Sequence, residues 1–229
     1  LMLIGINGKI ESGKDAIGKI IQYLVWKSRV ERGELPLSVY SFSDFARETS
    51  FGKNQSGFEI KKFADKLKDF VCMLIGCTRE QLEDEEFKNK ELGEEWWYWK
   101  VYSDILNDKF ELIPYNGEKG FYNRKSNYKG HTLQKLTPRR LLQLLGTECG
   151  RNIIHPNIWV NALMSEYTPK VTYQMEIIDL GASDLQREKI GKPIHDEYPN
   201  WIITDMRFPN ELEAVKDRGG ITIRVNRFT

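Results

Sequence analysis

The chain has 229 residues, 40% of them hydrophobic and 29% charged, with a formal net charge of +1. That balance allows a sizeable core and removes the electrostatic case for nucleic acid or a membrane surface as a direct partner. No apolar run is long enough to span a bilayer, no signal peptide is apparent, and three cysteines (Cys72, Cys77, Cys149) supply neither a disulfide framework nor a zinc site, so a cytoplasmic protein is expected.

The first predicted element is a short buried strand over Leu1–Ile6. "INGKIESGKD" follows and turns straight into a helix with Ile17, Ile20, Ile21, Leu24 and Val25 at helical spacing. Gly8, Gly13 and Lys14 fit G-x-x-x-x-G-K, the spacing of a phosphate-binding loop. Such a loop turns backbone N–H groups toward phosphate oxygens, and the helix N-terminus behind it favours negative charge. The strand before and the helix after are the context that raises this motif above a chance glycine turn. The expected loop is Gly8, Lys9, Ile10, Ser12, Gly13, Lys14, Asp15 and Ala16. Asp15 stands where a hydroxyl residue is usual.

Farther along, residues 37–42 predict a second strand and residues 43–57 a polar loop. "FEIKKFADKLKDFVCMLIG" places Ile60, Phe63, Ala64, Leu67, Phe70, Val71 and Leu74 at helical spacing, with Gly76 as a stop. Thr78 and Gln81 predict a capping box, and residues 83–95 a solvated, charged surface. Residues 96–136 begin aromatic, turn polar and carry an Asn116-Gly117 turn signal. They read as an insertion or hairpin whose aromatics pack together, a reading favoured over base contact. Thr137-Pro138 predicts a helix start, with the helix running through Arg151. On an α-helix Arg140, Gln143, Thr147 and Arg151 would share one face, either a ligand-holding face or a solvated one. Residues 168–200 give no secure assignment. "WIITD" predicts a strand ending in Asp205, "PNELEAVKDRGG" a helix, and "ITIRV" a last strand.

Alternating strands and helices predict an α/β fold: a three-layer, mainly parallel sheet with helices on both faces. One domain over 1–229 is expected, with insertions at about 86–136 and 168–200. A carboxylate at a strand's C-terminal end lies on the ligand side of such a sheet. Asp205 there could meet a metal's hydration shell or an acceptor, with Arg207 pairing to phosphate oxygens; the plain alternative is a turn at a helix start, with Glu211 in its first turn.

"GKIESGKD", "FADKLKDF", "LLQLLGTECGR…WV" and "ITDMRFPNELEAVKDRGGITIRV" occur in that order and together resemble the deoxynucleoside monophosphate kinases of tailed phages. The resemblance implies a P-loop NTPase fold, ATP and Mg²⁺ as phosphoryl source, and a 2′-deoxynucleoside 5′-monophosphate as acceptor. It implies a donor site in the glycine loop, with Lys14 on the phosphates and Asp15 toward the metal. The acceptor side would then use Ala64, Asp65, Lys68, Arg140, Gln143, Gly146, Thr147, Arg151, Asp205, Arg207 and Glu211. Lys14, Asp15, Arg151 and Arg207 would act on the transferring phosphoryl. Trp159 is a base-pocket wall or a core residue. In that family aspartate after the loop lysine is usual; Ala16 departs from the hydroxyl expected next. The resemblance further implies the cytoplasm, the host's if phage-encoded, with a homodimer left open. The alternatives are a P-loop kinase for another small acceptor and a nucleotide-dependent regulatory module.

Overall fold

The computed structural model describes residues 2–9, 11–36, 41–47, 55–103, 110–117, 128–179 and 185–226. They form two compact units, one of residues 1–66 with 157–229 and the other of residues 67–156.

The first unit is built on a parallel sheet of β1 (Leu3–Gly8), β2 (Phe58–Lys61), β8 (Asn200–Met206) and β9 (Ile221–Val225), in the order β2-β8-β1-β9. Its central strands are continuous apolar runs because both faces are covered. Ile4, Ile6 and Ile202 meet Ile17, Ile21 and Val25 of α1 (Lys14–Glu31) on one face. Leu3, Trp201, Ile203 and Met206 meet Val160, Leu163 and Met164 of α7 (Ile158–Met164), and Ala214 and Val215 of α8 (Pro209–Lys216), on the other. Burying Ile6, Ile202 and Ile203 completely stabilises the sheet by about 1.5–3 kcal/mol per side chain. This is the expected three-layer α/β arrangement.

Local departures from expectation have tertiary causes. Residues 37–40 of the expected second strand lie outside the described residues, and Phe42 opens a helix, α2 (Phe42–Arg47), instead. Ser41 Oγ accepts the Asp44 N–H at that helix start, and Phe42 and Phe45 pack edge-on against Tyr23. The expected helix over 58–75 is a strand followed by a helix. Phe58–Lys61 pairs with β8 from Phe58↔Asn200 to Lys61↔Ile203, and α3 (Ala64–Ile75) starts only after it. The alternating Phe58-Glu59-Ile60-Lys61 was the available signal for that strand. Residues 168–200 contain an antiparallel pair, β6 (Lys170–Asp179) with β7 (Leu185–Glu197).

The second unit holds most of α3, then α4 (Arg79–Glu83) and α5 (Glu85–Asn89), and the antiparallel sheet β4-β3-β5 (Phe110–Pro114, Tyr98–Ser103, Tyr128–Gln134). Thr78 and Gln81 form the expected capping box at α4. The aromatic segment packs as expected: Trp99 lies 6.3 Å from Tyr115 and 5.2 Å from His131 between ring centroids, and Lys135 Nζ sits 4.2 Å over Trp97. Val71, Leu82 and Leu141 form a further cluster, with Cys72 and Cys77 against it as small apolar fillers. Thr137 caps α6 (Pro138–Gln143) through the Arg140 N–H. Beyond it the α-helix expected through Arg151 gives way to a π-helix over Leu144–Ile154. Its wider turn takes Thr147 and Arg151 off the 3.6-residue period that would align them with Arg140.

Candidate phosphate-binding site

β1 ends at Gly8 and α1 begins at Lys14, so the glycine loop spans the C-terminal edge of the sheet. Two of its residues are left-handed, Glu11 at φ 60° and Gly13 at φ 88°. Only glycine takes that conformation without steric cost, which accounts for Gly13. Gly8 is small for a different reason: a Cβ there would lie 2.6 Å from Ser12 Oγ and 2.7 Å from the Val225 carbonyl oxygen. Ile10 lies outside the described residues, and Ala16 is exposed on the first turn of α1.

Lys14 folds back over the loop and donates to the carbonyl oxygens of Gly8, at 2.9 Å, and Lys9, at 2.6 Å. Burial, and next the positive charge of Arg207, lower its pKa, while Asp15 and Asp205 pull it up. Ser12 Oγ is buried without a hydrogen-bond partner. Crowded positive charge and an orphaned hydroxyl are both relieved by an anion, so the loop fits phosphate.

Asp15 has both carboxylate oxygens engaged. Thr204 Oγ1 donates to Oδ1 at 2.5 Å and Lys62 Nζ to Oδ2 at 2.9 Å. Burial pushes its pKa up, but those two hydrogen bonds and the Lys62 and Lys14 charges outweigh it and hold the pKa below the usual aspartate value. Thr204 and Asp205 are consecutive on β8, so their side chains leave opposite faces of the sheet. Thr204 faces α1, which approaches so closely that a Cβ on Gly18 would lie 2.7 Å from Thr204 Cγ2. Asp205 faces α3 and accepts the N–H groups of Phe63, at 2.8 Å, and Ala64, at 3.0 Å. Burial raises the Asp205 pKa against those hydrogen bonds.

Arg207 lines an open cavity of about 320 Å³ with Asn7, Gly8, Lys9, Arg224 and Asn226. No hydrogen bond or ion pair among the described residues engages the guanidinium of Arg207 or Arg224. Glu211 is buried at 2% exposure, and its Oε2 accepts the N–H groups of Arg207 and Phe208, so it caps α8 and orients the Arg207 backbone. Asp65 accepts the Lys62 N–H at 3.1 Å, and Trp159 is buried in α7.

The remaining candidates lie in the second unit. Lys68 is paired to Glu83 at 2.5 Å. Arg140 forms a two-pronged pair with Glu148, at 2.5 and 3.2 Å. Gln143 and Thr147 are exposed, and Arg151 is half-buried. Gly146 is buried where a Cβ would lie 2.8 Å from Leu67 Cδ2, a packing reason for glycine. Sequence reasoning missed Lys62, Thr204, Arg224 and Asn226. Thr204 was findable, since the residue before a strand-end aspartate must face the opposite layer; Lys62 carried no signal.

A parallel sheet covered on both faces, with a glycine loop running from its first strand into the first helix, is a P-loop NTPase-like fold. The chain is distantly related to the deoxynucleoside-5′-monophosphate kinase of Escherichia phage T5. The two are 26% identical over 227 residues, spanning 94% of this chain and 72% of that relative. No family model matches the chain.

Among the described residues no helix is long and apolar enough to cross a membrane. Nor do three or more His, Cys, Asp or Glu side chains converge there. Mg²⁺ is commonly bound through a single carboxylate, water and substrate phosphates, so Asp15 beside the loop suits it.

Proposed function

We propose that the chain transfers a phosphoryl group from ATP, with Mg²⁺, to a 2′-deoxynucleoside 5′-monophosphate and releases the diphosphate. The observation that carries this is the loop itself: Lys14 folded on the Gly8 and Lys9 carbonyls beside the unpartnered Ser12 hydroxyl. The T5 relative supplies the reaction class. Phosphoryl transfer asks little covalent chemistry of a protein; positioning and neutralising charge carry it.

In this reading Lys14 leaves its carbonyls for the donor's phosphates, and the loop N–H groups and α1 N-terminus hold the rest. Asp15 would hold Mg²⁺, which would supply charge neutralisation to the donor's phosphates. Arg207, which lines one cavity with Gly8 and Lys9, would act on the transferring phosphoryl. Arg151, Gln143 and Thr147 remain the acceptor candidates, with Arg140 available once it releases Glu148. The chain is read as one kinase domain. Residues 86–136 and 168–200 are its insertions, since each closes antiparallel pairing within itself. Its place is the cytoplasm.

The test is product chromatography of purified protein with ATP, Mg²⁺ and paired deoxy- and ribonucleoside monophosphates. The expected product is a deoxynucleoside diphosphate, lost in a folded Lys14→Ala protein. Equal use of both sugars overturns the deoxynucleotide specificity, and full activity of Lys14→Ala overturns the donor site.

A further inference from the structure

The most specific polar contact around the loop that the proposed reaction does not use is the one between Lys62 and Asp15. Thr204, on Oδ1, is 1% exposed and fixed in the middle layer of the sheet. Lys62, on Oδ2, is different: its ammonium reaches 2.9 Å across from the turn before α3, and its side chain is 31% exposed on a flexible stem. The backbone of that turn is pinned separately, by Asp65 on the Lys62 N–H and by Asp205 on the next two N–H groups. The ammonium can therefore swing away without moving the turn that carries it.

We propose that Lys62 is the resident counter-ion of Asp15 and that a divalent cation must displace it to reach the carboxylate. Asp15 Oδ2 is the only oxygen of that carboxylate not held by a buried donor, so ammonium and metal compete for one position. Two cations cannot share it at contact distance without strong mutual repulsion. Lys62 thereby keeps the Asp15 carboxylate neutralised while nucleotide is absent, and raises the Mg²⁺ concentration at which nucleotide binds. The inference rests on the proposed donor site and adds to it a residue that sets the metal requirement.

The experiment is calorimetric binding of a non-hydrolysable ATP analogue across a Mg²⁺ titration. Lys62→Met, with Lys62→Gln as a second neutral variant, should lower the half-saturating Mg²⁺ by about threefold to fivefold, the scale of a partly exposed ion pair. Lys62→Arg should leave it near wild type. In an Asp15→Asn background the Lys62 substitutions should have no effect, because the contested oxygen is gone. A half-saturation point that is unchanged or raised in both neutral variants overturns the inference and leaves the donor site standing. So does a fall that persists with Asp15→Asn. Absence of analogue binding by the wild-type protein at any Mg²⁺ concentration overturns the donor site and this inference together.

Discussion

Asp205 Oδ2 accepts the backbone N–H of Ala64 at 3.0 Å, so a strand-end carboxylate caps the first turn of a helix that begins 141 residues earlier. Its other oxygen takes the Phe63 N–H. A helix start leaves such N–H groups without intrahelical partners, and a carboxylate is well matched to them. Asp205→Ala removes both hydrogen bonds in a buried place. The expected cost is about 1–3 kcal/mol. Urea unfolding of the two proteins measures it, and an unchanged midpoint would make the capping energetically idle.

The close approach at Gly8 predicts a second result. An alanine Cβ at that position meets the Val225 carbonyl, which is backbone and cannot swing aside. Gly8→Ala should destabilise the protein by about 1–3 kcal/mol, the usual cost of overpacking. Gly13→Ala has open space around it but φ 88°, so its cost is conformational. Thermal denaturation of both variants, with wild-type far-UV circular dichroism as the control for folding, separates the clash from the strain.

Arg207 and Arg140 should respond differently to lysine. The Arg207 guanidinium is not engaged among the described residues, whereas Arg140 spends its guanidinium on Glu148. Under the proposed reaction Arg207→Lys should lower kcat by roughly tenfold or more, the equivalent of about 1.5–3 kcal/mol for a charge-assisted hydrogen bond. Arg140→Lys should change it less than Arg207→Lys. Steady-state kinetics with ATP and one deoxynucleoside monophosphate check the pair. Equal losses would remove Arg207 from the transferring phosphoryl.

Glu83 gives a pH-dependent prediction. Its burial raises its pKa, but Lys68, Lys88 and Arg79 outweigh that and bring it below the usual glutamate value. A carboxylate with a lowered folded pKa binds fewer protons folded than unfolded. It therefore contributes stability above its unfolded pKa and loses that contribution as pH falls through the folded one. The Tm difference between wild type and Glu83→Gln should be largest near neutrality and shrink below about pH 4. A difference that stays constant across that range would show that the Lys68–Glu83 pair carries no linkage.

How far the sequence reached can be seen at particular residues. Gly8, Gly13 and Lys14, set between an apolar strand and a periodic helix, announced the strand–glycine loop–helix turn, because backbone conformation there depends on which residues lack a side chain. "WIITD", Thr137-Pro138 and the Thr78–Gln81 box were equally local: burial on two faces, a fixed φ and a reciprocal cap are each written in neighbouring residues. The strand at Phe58–Lys61 was hidden because its apolar residues also suit a helix, and only pairing with β8 decides between them. Lys62 was invisible for the same kind of reason. Its significance is a distance to Asp15, 47 residues away, and no local pattern encodes that distance. The sequence by itself determined the α/β class, the loop and the strand-end aspartate, since these follow from hydrophobic period and backbone chemistry. The tertiary structure alone decided that Asp205 caps a helix, that Arg140 is tied to Glu148 and that Lys62 neutralises Asp15. Hydrogen bonds and ion pairs act over about 3 Å, and only the folded chain brings Asp205 to Ala64 and Lys62 to Asp15 within that reach, while the helical turns between Arg140 and Glu148 set theirs.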